Sequence, residues 1–316
     1  MKAVLIDKPT KSEDIELTET SIPVIKSGWV LVKVMAFGIN HSEKLLRLFE
    51  VSNDYIKKPI IPGIECVGVV ECQGDTNFNK GDKVIALMGG MGRSFNGSYA
   101  EYALLPKENV FVIHSDLPYE LLGAIPETYF TAWGSLFECL KLTKDDTLLV
   151  RGATCALGYA AVKLAKGVGA NVIGTTHKTE KLSLLNECDE AIVDDGKLQG
   201  KVSATKILEL IGAKTIRDSL KCIKKGGIVC HTGLLGGVYT LDGFDPIKEI
   251  PNGCYLTGFF SNYPTQEIID EMFNFITEKN IVPNVGKFYD FNDIRRALMD
   301  IDEHKTEGKV VIRMTL

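Results

Sequence analysis

The sequence lacks long hydrophobic runs, C-x-x-C motifs and any excess of basic residues. No apolar run approaches the roughly eighteen residues that a membrane helix needs, and residues 1–17 lack the apolar core of a signal peptide. The formal net charge of −5 argues against a nucleic-acid-binding surface. We therefore expect a cytoplasmic protein with no membrane and no nucleic-acid partner.

The eight cysteines are scattered along the chain, and none lies between Gln73 and Glu138. In a reducing compartment, isolated cysteines in apolar surroundings are most simply free, buried thiols. A hydrophobic content of 45% and a charged content of 24% are ordinary for globular proteins. A chain of 316 residues is long enough for two domains.

The most informative stretch is 147–181. Residues 147–150 form a short apolar run that predicts a buried strand, and the apolar residues from Leu157 to Val168 recur at helical spacing. Gly167 and Gly169 are typical of a helix end, and 171–175 predicts a second strand. Strand, helix and strand within about thirty residues indicate a βαβ unit with a right-handed crossover.

The turn of this unit resembles an incomplete dinucleotide fingerprint. On the pattern G-x-G-x-x-G, the three positions are Ala153, Cys155 and Gly158, with an extra Gly152 before them. A helix N-terminus presents unpaired N–H groups and partial positive charge, which suit a pyrophosphate. The placement between strand and helix favours a nucleotide site, while a βα turn that binds no dinucleotide remains the alternative.

The end of the second predicted strand bears on the choice of cofactor. NAD sites usually place an acidic residue there, whereas this chain has Thr175, Thr176, His177 and Lys178, with Lys181 following. Hydroxyl and basic groups without a carboxylate suit a 2′-phosphate. The pattern predicts NADP(H) rather than NAD(H); the alternative is that the lysines are ordinary solvated surface charges.

The remaining predicted elements fall into two groups, one rich in strands and one in which strands and helices alternate. The first half predicts short strands at 1–6, 29–35, 64–71, 83–86 and 98–104, which suggests a small barrel or sandwich. Helices are predicted at 121–124, 128–140, 215–223 and 266–279, and further strands at 191–193, 207–210, 228–232, 255–260 and 309–314. The alternation after residue 147 is typical of a doubly wound α/β sheet.

Several short motifs, in order and at family-like spacing, resemble the medium-chain dehydrogenase/reductase superfamily, and more closely its zinc-independent quinone oxidoreductase (zeta-crystallin-like) branch. They are Phe37–Asn40, Pro62–Gly68, Gly81–Val84, Gly97–Tyr102, Tyr129–Trp133, the stretch 147–181 and Gly308–Val311. The resemblance implies an α/β protein with a GroES-like, mostly-β catalytic domain (1–120 with 262–316). A Rossmann NADP(H)-binding domain with a doubly wound parallel sheet is expected at 121–261.

The same comparison bears on zinc. Relatives that use zinc place a cysteine ligand where this chain has Asn40 and a histidine ligand where it has Ile64, and Glu65 cannot hold the metal alone. A structural zinc lobe would need four cysteines within the cysteine-free stretch between Gln73 and Glu138. We predict no metal at either place; binding by His41 or His114 is the weaker alternative.

Without zinc to polarise a carbonyl, hydride transfer suits an acceptor that delocalises the incoming charge, such as a quinone or an α,β-unsaturated carbonyl. The resemblance places Asn40 near the nicotinamide and the acceptor, with Tyr129, Ser42 and Thr131 lining the same region. Tyr55 either donates a hydrogen bond to an enolate or is an exposed loop tyrosine. No single essential acid is predicted.

The resemblance also implies a set of cofactor contacts. The pyrophosphate is expected on Gly152, Ala153, Thr154, Cys155, Ala156, Leu157 and Gly158; the adenosine side on Thr176, His177 and Lys181; the nicotinamide ribose on Thr232, Gly233 and Leu234; and the far side of the nicotinamide on Gly258, Phe259 and Phe260. Cys155 and Ala156 stand where relatives commonly have glycines. Asp194 and Asp195 would repel a 2′-phosphate if they faced it.

These observations predict an NADPH-dependent reductase of quinones or activated alkenes. An enoyl-thioester reductase of the same fold and an NADPH-binding protein with little turnover are the alternatives. A role in nucleic-acid binding is disfavoured by the acidic charge balance. A homodimer through Rossmann-sheet edges is expected, with 238–241 as the candidate edge strand.

Overall fold

A computed structural model describes residues 1–315, which form two compact units. The first unit comprises Met1–Glu127, Asn262–Glu278 and the chain from Val282 onward, and the second comprises Thr128–Ser261 with Lys279–Ile281. The sequence placed the first boundary after residue 120 and the second after residue 261. Helix α3 (Pro126–Trp133) contains the residues at which the chain passes from the first unit to the second.

The first unit is mostly β-structure. Its strands are β1 (Lys2–Val4), β2 (Leu17–Glu19), β3 (Trp29–Ile39), β4 (Glu65–Cys72), β5 (Lys83–Leu87), β6 (Tyr102–Pro106), β7 (Val110–Val112), β14 (Val285–Asp290) and β15 (Lys309–Arg313). Its helices are α1 (His41–Leu48), α2 (Tyr119–Leu122), α7 (Gln266–Glu278) and α8 (Ile294–Asp302). Within the described residues, β1 and β2 pair alone and the other strands form one sheet in the order β14-β15-β3-β4-β5-β7, with β6 also paired to β3.

Strand β3 organises this sheet because three other strands pair with it. It runs antiparallel to β4, β6 and β15, and the C-terminal strand thereby returns to the N-terminal domain. Apolar side chains from these strands and from α1 and α8 form one core, which includes Val32, Phe37, Leu46 and Val310. Burial of this alternating apolar surface is what selects the register of the strands.

The second unit is a parallel sheet with helices. Its strands are β8 (Thr147–Arg151), β9 (Asn171–Thr176), β10 (Glu190–Val193), β11 (Ala204–Glu209), β12 (Ile223–His231) and β13 (Tyr255–Gly258), and its helices are α4 (Ala156–Val168), α5 (Ile216–Cys222) and α6 (Pro246–Glu249). Among the described residues the sheet order is β10-β9-β8-β11-β12-β13, all parallel. The order reverses between β8 and β11, and ligands of such sheets bind at this switch point.

Helix α4 follows β8 as its sequence predicts. Its apolar stripe is small, so that Ala161 and Ala165 are buried and the helix lies close to the sheet. Gly169 ends the helix in the left-handed conformation, with φ of 92°, and the N–H groups of Gly169 and Ala170 both donate to Ala165 O. A non-glycine residue is strained in this conformation, which explains the glycine at this position.

Two expectations about strands are wrong. The strand expected at 98–104 begins only at Tyr102, because residues 97–99 bond to the backbone of 61–63 instead of to a sheet. The stretch 238–241 is not a strand: Gly237 turns the chain with φ of 69°, and the preceding residues are tied to the loop after β11 through Leu235 N–Leu210 O and Gly236 N–Ile211 O bonds. The edges of the parallel sheet are therefore β10 and β13.

Some elements had no prediction. They are β2, β7, β14, α1, α6 and α8. The helix expected at 128–140 is α3 followed by a wider helical turn, Gly134–Cys139, with π-type hydrogen bonding. Among the described residues, no helix is long and apolar enough to cross a membrane.

Candidate functional site

The turn between β8 and α4 has the geometry of a pyrophosphate cradle. Gly152 adopts a positive φ of 91°, and Ala153 N donates to Thr175 O at 2.8 Å, which fixes the turn against β9. Ala153 is fully buried, and Thr154, Cys155 and Ala156 are small. The first N–H groups of α4 then point out of the helix end beside this turn, as an anion site requires.

Two residues of the turn show how an incomplete fingerprint still folds. Cys155 is the N-cap of α4, and its sulfur accepts a hydrogen bond from Gly158 N at 3.2 Å. Burial raises the pKa of the Cys155 thiol, so the thiol is neutral and adds no negative charge to the cradle. A Cβ on Gly158 would lie 2.5 Å from Ala153 O, so Gly158 is the glycine that lets helix and strand approach.

At the end of β9 the structure brings the predicted adenosine-side hydroxyl to the same turn. Thr176 is buried, and its hydroxyl accepts a hydrogen bond from the Thr154 hydroxyl at 3.3 Å and one from Lys178 N at 3.4 Å. His177 is exposed and Lys181 is half-buried. The hydroxyls of Thr154 and Thr176 therefore lie beside the first residues of α4.

The two aspartates after β10 are each held by a basic residue. Asp194 forms a bidentate pair with the guanidinium of Arg151, with Nε–Oδ2 at 2.7 Å and Nη2–Oδ1 at 3.0 Å. Asp195 pairs with Lys201 at 2.9 Å on the surface. Arg151 is fully buried at the end of β8 and also pairs with Asp218 at 2.9 Å, so its single positive charge partly offsets the negative charges of both carboxylates.

A second group of predicted residues meets at the ends of β12 and β13. The Ser135 hydroxyl donates to Thr131 O at 2.7 Å and lies 2.9 Å from the Thr232 hydroxyl. The Phe259 ring packs on Gly134, where a Cβ would come within 2.0 Å of it, and forms an edge contact with Phe130. Thr131, Thr232, Gly258 and Phe259 thus lie around one helical segment.

The other residues predicted near the nicotinamide differ in exposure. Gly233 packs so closely on Leu210 that a Cβ would lie 2.1 Å from its carbonyl oxygen. Leu234 and Phe260 are exposed. Tyr129 is 2% exposed, and its hydroxyl has no hydrogen-bond partner among residues 1–315. Burial raises the pKa of Tyr129.

Tyr55 and Ser42 belong to the first unit. Tyr55 is 63% exposed on a turn, which agrees with the alternative that it is an exposed loop tyrosine. Ser42 lies in the first turn of α1, and its carbonyl accepts from Arg93 Nη2 at 3.1 Å. Among residues 1–315, no hydrogen bond joins these two side chains.

Asn40 belongs to a buried polar cluster in the first unit. Its Nδ2 donates to Glu65 Oε1 at 2.8 Å, and its Oδ1 accepts from Lys309 Nζ at 2.6 Å. Lys309 Nζ also donates to Glu65 Oε1 at 2.5 Å, and both of these charged side chains are almost completely buried. We call Asn40, Glu43, Glu65 and Lys309 the Asn40 cluster. It holds the Asn40 amide in one orientation.

Glu43 completes the cluster and was missed by sequence reasoning. Its carboxylate accepts from Asn40 N at 2.8 Å and Ile64 N at 3.1 Å. Burial raises the pKa of Glu43 to about 7; Lys309 opposes this shift and Glu65 adds to it. The capping-box spacing Asn40-x-x-Glu43 is the signal that could have identified it.

The residues of the Asn40 cluster do not fit a zinc site. Asn40 and Ile64 stand where zinc-using relatives place ligands, and neither supplies a thiolate or an imidazole. Of the two carboxylates, Glu65 already accepts bonds from Asn40, Lys309 and Glu127 N. Glu43 accepts bonds from Asn40 N and Ile64 N. Across the described chain, no three His, Cys, Asp or Glu side chains converge as a metal site.

The chain matches two protein families. The family described as "Alcohol dehydrogenase GroES-like domain" matches residues 26–115, and the one described as "Zinc-binding dehydrogenase" matches 178–312. The quinone oxidoreductase of Homo sapiens is 30% identical over 254 residues, which cover 75% of this chain and 74% of the human protein.

Solved structures give the same relationship. A structure titled as an NAD-dependent alcohol dehydrogenase has a TM-score of 0.85 at 25% identity and covers all of both chains. A mycobacterial protein solved in complex with NADPH has a TM-score of 0.83 at 25% identity and covers 99% of each chain. With its GroES-like and Rossmann units and these relatives, the chain belongs to the quinone oxidoreductase branch of the medium-chain dehydrogenase/reductase superfamily and is an NAD(P)-dependent oxidoreductase.

Proposed function

We propose that this enzyme is an NADPH-dependent, zinc-independent reductase that transfers hydride to a quinone or an α,β-unsaturated carbonyl. The observation that carries the proposal is the Lys309 ammonium bound between Asn40 and Glu65. The acceptor oxygens that a metal would need are already satisfied by this cation and by N–H groups. The substrate that accepts the hydride must therefore delocalise the incoming negative charge by itself.

The protein's part in such a reaction is orientation. NADPH supplies the hydride, and the turn Gly152–Gly158 supplies N–H groups for its pyrophosphate. The Asn40 amide has its oxygen on Lys309, and its Nδ2 donates to Glu65 Oε1 at 2.8 Å and more weakly to Glu43 Oε1 at 3.5 Å. The weaker Glu43 bond is therefore the one that an acceptor oxygen would replace. Thr131, Thr232, Phe259 and Tyr129 supply the surroundings proposed for the nicotinamide.

The preference for NADPH rests on the ion pair between Arg151 and Asp194. A free carboxylate after β10 would repel a 2′-phosphate, but Asp194 is only 8% exposed and both of its oxygens are bonded to the Arg151 guanidinium, which it shares with Asp218. Thr176, His177 and Lys181 then present hydroxyl, imidazole and ammonium groups on the adenosine side. The relative solved with NADPH supports the same choice.

Cofactor preference is tested by titrating the protein with NADPH and with NADH and following nicotinamide fluorescence. Tighter binding of NADPH is expected. The variant Lys181→Met should weaken NADPH binding about tenfold and leave NADH binding unchanged, because one charge-assisted bond to the phosphate is worth about 1.5–3 kcal/mol. Lys144→Met, an exposed lysine elsewhere in the second unit, is the matched control. Tighter NADH binding would contradict the proposal.

Turnover measurements distinguish two alternative functions. An enoyl thioester that is reduced faster than quinones or alkenals would assign the alternative reductase activity. Tight NADPH binding with no turnover of any acceptor would assign a binding protein. The proposal requires NADPH-dependent reduction of 1,4-benzoquinone or a 2-alkenal that is faster than reduction of a short-chain enoyl thioester.

The proposal includes a homodimer through the sheet edge of the second unit. Strand β13 lies at one edge and carries Tyr255, which is 62% exposed. An unpaired edge strand offers backbone N–H and C=O groups to a second copy. Light scattering after gel filtration should give twice the chain mass of 34.7 kDa, and the mass of a single chain would refute the dimer.

A further inference from the structure

Two cysteine thiols of the second unit lie side by side. Cys139 ends the helical turn Gly134–Cys139, and Cys230 lies near the end of β12. The bond of Cys139 to Gly258 O and the pairing of β13 with β12 bring the two together, although they are far apart in sequence. Both are free in the structure. The fold therefore brings together two thiols that no C-x-x-C motif predicts.

Several hydrogen bonds keep the two sulfur atoms together. Cys139 Sγ donates to Gly258 O at 3.6 Å, which ties the turn to β13. Cys230 Sγ lies 3.4 Å from the Thr232 hydroxyl, and that hydroxyl lies 2.9 Å from Ser135 Oγ in the same turn as Cys139. The turn and both strand ends are thus bonded on either side of the pair, so a disulfide would need only a local approach of the sulfurs.

The two thiols differ in access. Cys230 is fully buried, whereas Cys139 is half-buried and can be reached from solvent. A soluble oxidant therefore meets Cys139 first, and Cys230 is the thiol in position to displace it. An exposed thiol beside a second, resolving thiol is the arrangement of reversible redox pairs.

We propose that Cys139 and Cys230 are a modification site that exchanges with small disulfides such as glutathione disulfide. The Cys139 thiolate attacks one sulfur of the oxidant, which releases one glutathione and leaves a mixed disulfide. Cys230 then attacks Cys139 Sγ and releases the second glutathione. The two protein thiols lose two electrons and two protons, and the oxidant is reduced to two thiols.

The reaction would change cofactor binding, a consequence that rests on the proposed function. The bond would draw the turn toward Thr232 and Gly258, which the proposed function places around the nicotinamide. Burial raises the pKa of Cys230 to about 12, so its thiolate is scarce at neutral pH. Below that pKa the second step should become about tenfold faster for each unit by which the pH is raised, because the thiolate is the nucleophile.

The test is incubation of the whole protein with glutathione disulfide, followed by alkylation under denaturing conditions and peptide mass analysis. The wild type should lose two thiols and yield a peptide cross-linked between Cys139 and Cys230, which dithiothreitol reverses. Cys230→Ser should stop at a mixed disulfide on Cys139, and Cys139→Ser should not modify Cys230. Cys254→Ser, which removes a half-buried thiol that bonds to Lys224 O, should behave as wild type.

Absence of the cross-link in folded wild-type protein, or a persistent mixed disulfide on Cys139 at pH 9, would overturn the proposal. NADPH titration of the oxidised protein should show at least fivefold weaker binding than the reduced protein. Cys139→Ser should show no response of its NADPH affinity to the oxidant. Mapping of the cross-link does not depend on activity, so a failure of the proposed function would be seen separately as a failure to bind NADPH in the reduced protein.

Discussion

At the scale of single residues, the Lys309 ammonium is the group on which the Asn40 cluster depends. Lys309→Met would leave the Glu65 carboxylate buried without its cation. The unfolding free energy should therefore fall by about 3–5 kcal/mol. The double variant Lys309→Met/Glu65→Gln removes both charges and should recover part of the loss. Urea unfolding measures each variant. A single variant as stable as wild type would show that the ion pair does not hold this site together.

Glu43 gives the same cluster a dependence on pH. Because the pKa of Glu43 is raised to about 7 in the folded protein, the folded state binds more protons than the unfolded state between about pH 4.5 and 7. The contribution of Glu43 to stability is therefore fully present below about pH 4.5 and is lost as the pH rises to 7. Glu65 and Lys309 are the charged groups that face it, and Tyr99 lies close by.

The stability of the wild type relative to Glu43→Gln isolates this effect. The difference in unfolding free energy should fall by about 3 kcal/mol between pH 4.5 and 7 and stay constant above pH 8, since one pKa unit corresponds to about 1.4 kcal/mol. Urea unfolding over this pH range is the measurement. A difference that does not change with pH would mean that folding leaves the pKa of Glu43 unaltered, and a difference that rises would mean that folding lowers it.

At the scale of elements, a glycine of β3 makes room for the cluster. A Cβ on Gly38 would lie 2.2 Å from Lys309 Cε and 2.6 Å from Glu65 Oε1, so Gly38→Ala should push the lysine away from Glu65. Stability should fall by an amount similar to that of Lys309→Met, and the two changes together should be less than additive. Gly81→Ala, at a glycine with nothing within 4 Å but a positive φ of 92°, is the control for backbone strain alone.

The turn between β8 and α4 gives a second prediction at this scale. In Gly158→Ala, the new Cβ would lie within 2.6 Å of Ala153 backbone atoms, so α4 must move away from the cradle. NADPH affinity should fall at least tenfold while circular dichroism still shows a folded protein. Ala156→Gly, in the same helix turn, should keep NADPH affinity within about threefold. Unchanged NADPH binding in Gly158→Ala would separate this turn from the cofactor site.

The sequence predicted regular elements best where a local pattern decides the structure. The β8-α4-β9 unit has its expected strands, helix stripe and Gly169 stop, because each depends on neighbours within a few residues. The stretch 238–241 is apolar enough for a strand, but the residues just before it, Leu235 and Gly236, are bonded to the distant loop after β11, which a local pattern does not reveal. Strand β14 is equally non-local, because it exists through its pairing with β15.

At the scale of the whole molecule, motifs spread along the chain predicted the family and the division into a mostly-β unit and an α/β unit. The Asn40 cluster joins residues from α1 and its N-cap, β4 and β15, and only Asn40 of its members was predicted as a site residue. Arg151 was likewise not predicted as a site residue, although its guanidinium binds the Asp194 carboxylate. Such groups are brought together by tertiary contacts. A single sequence therefore identifies some of their residues but not their hydrogen-bond partners.

The central claim of this account is the transfer of hydride from NADPH to an acceptor that needs no metal. The most direct test is the loss of NADPH absorbance at 340 nm with 1,4-benzoquinone or a 2-alkenal, in protein treated with a strong zinc chelator and then dialysed. We predict turnover that chelation does not change and that added zinc does not increase. Activity that disappears on chelation and returns with zinc, or rapid oxidation of simple alcohols instead, would contradict the account.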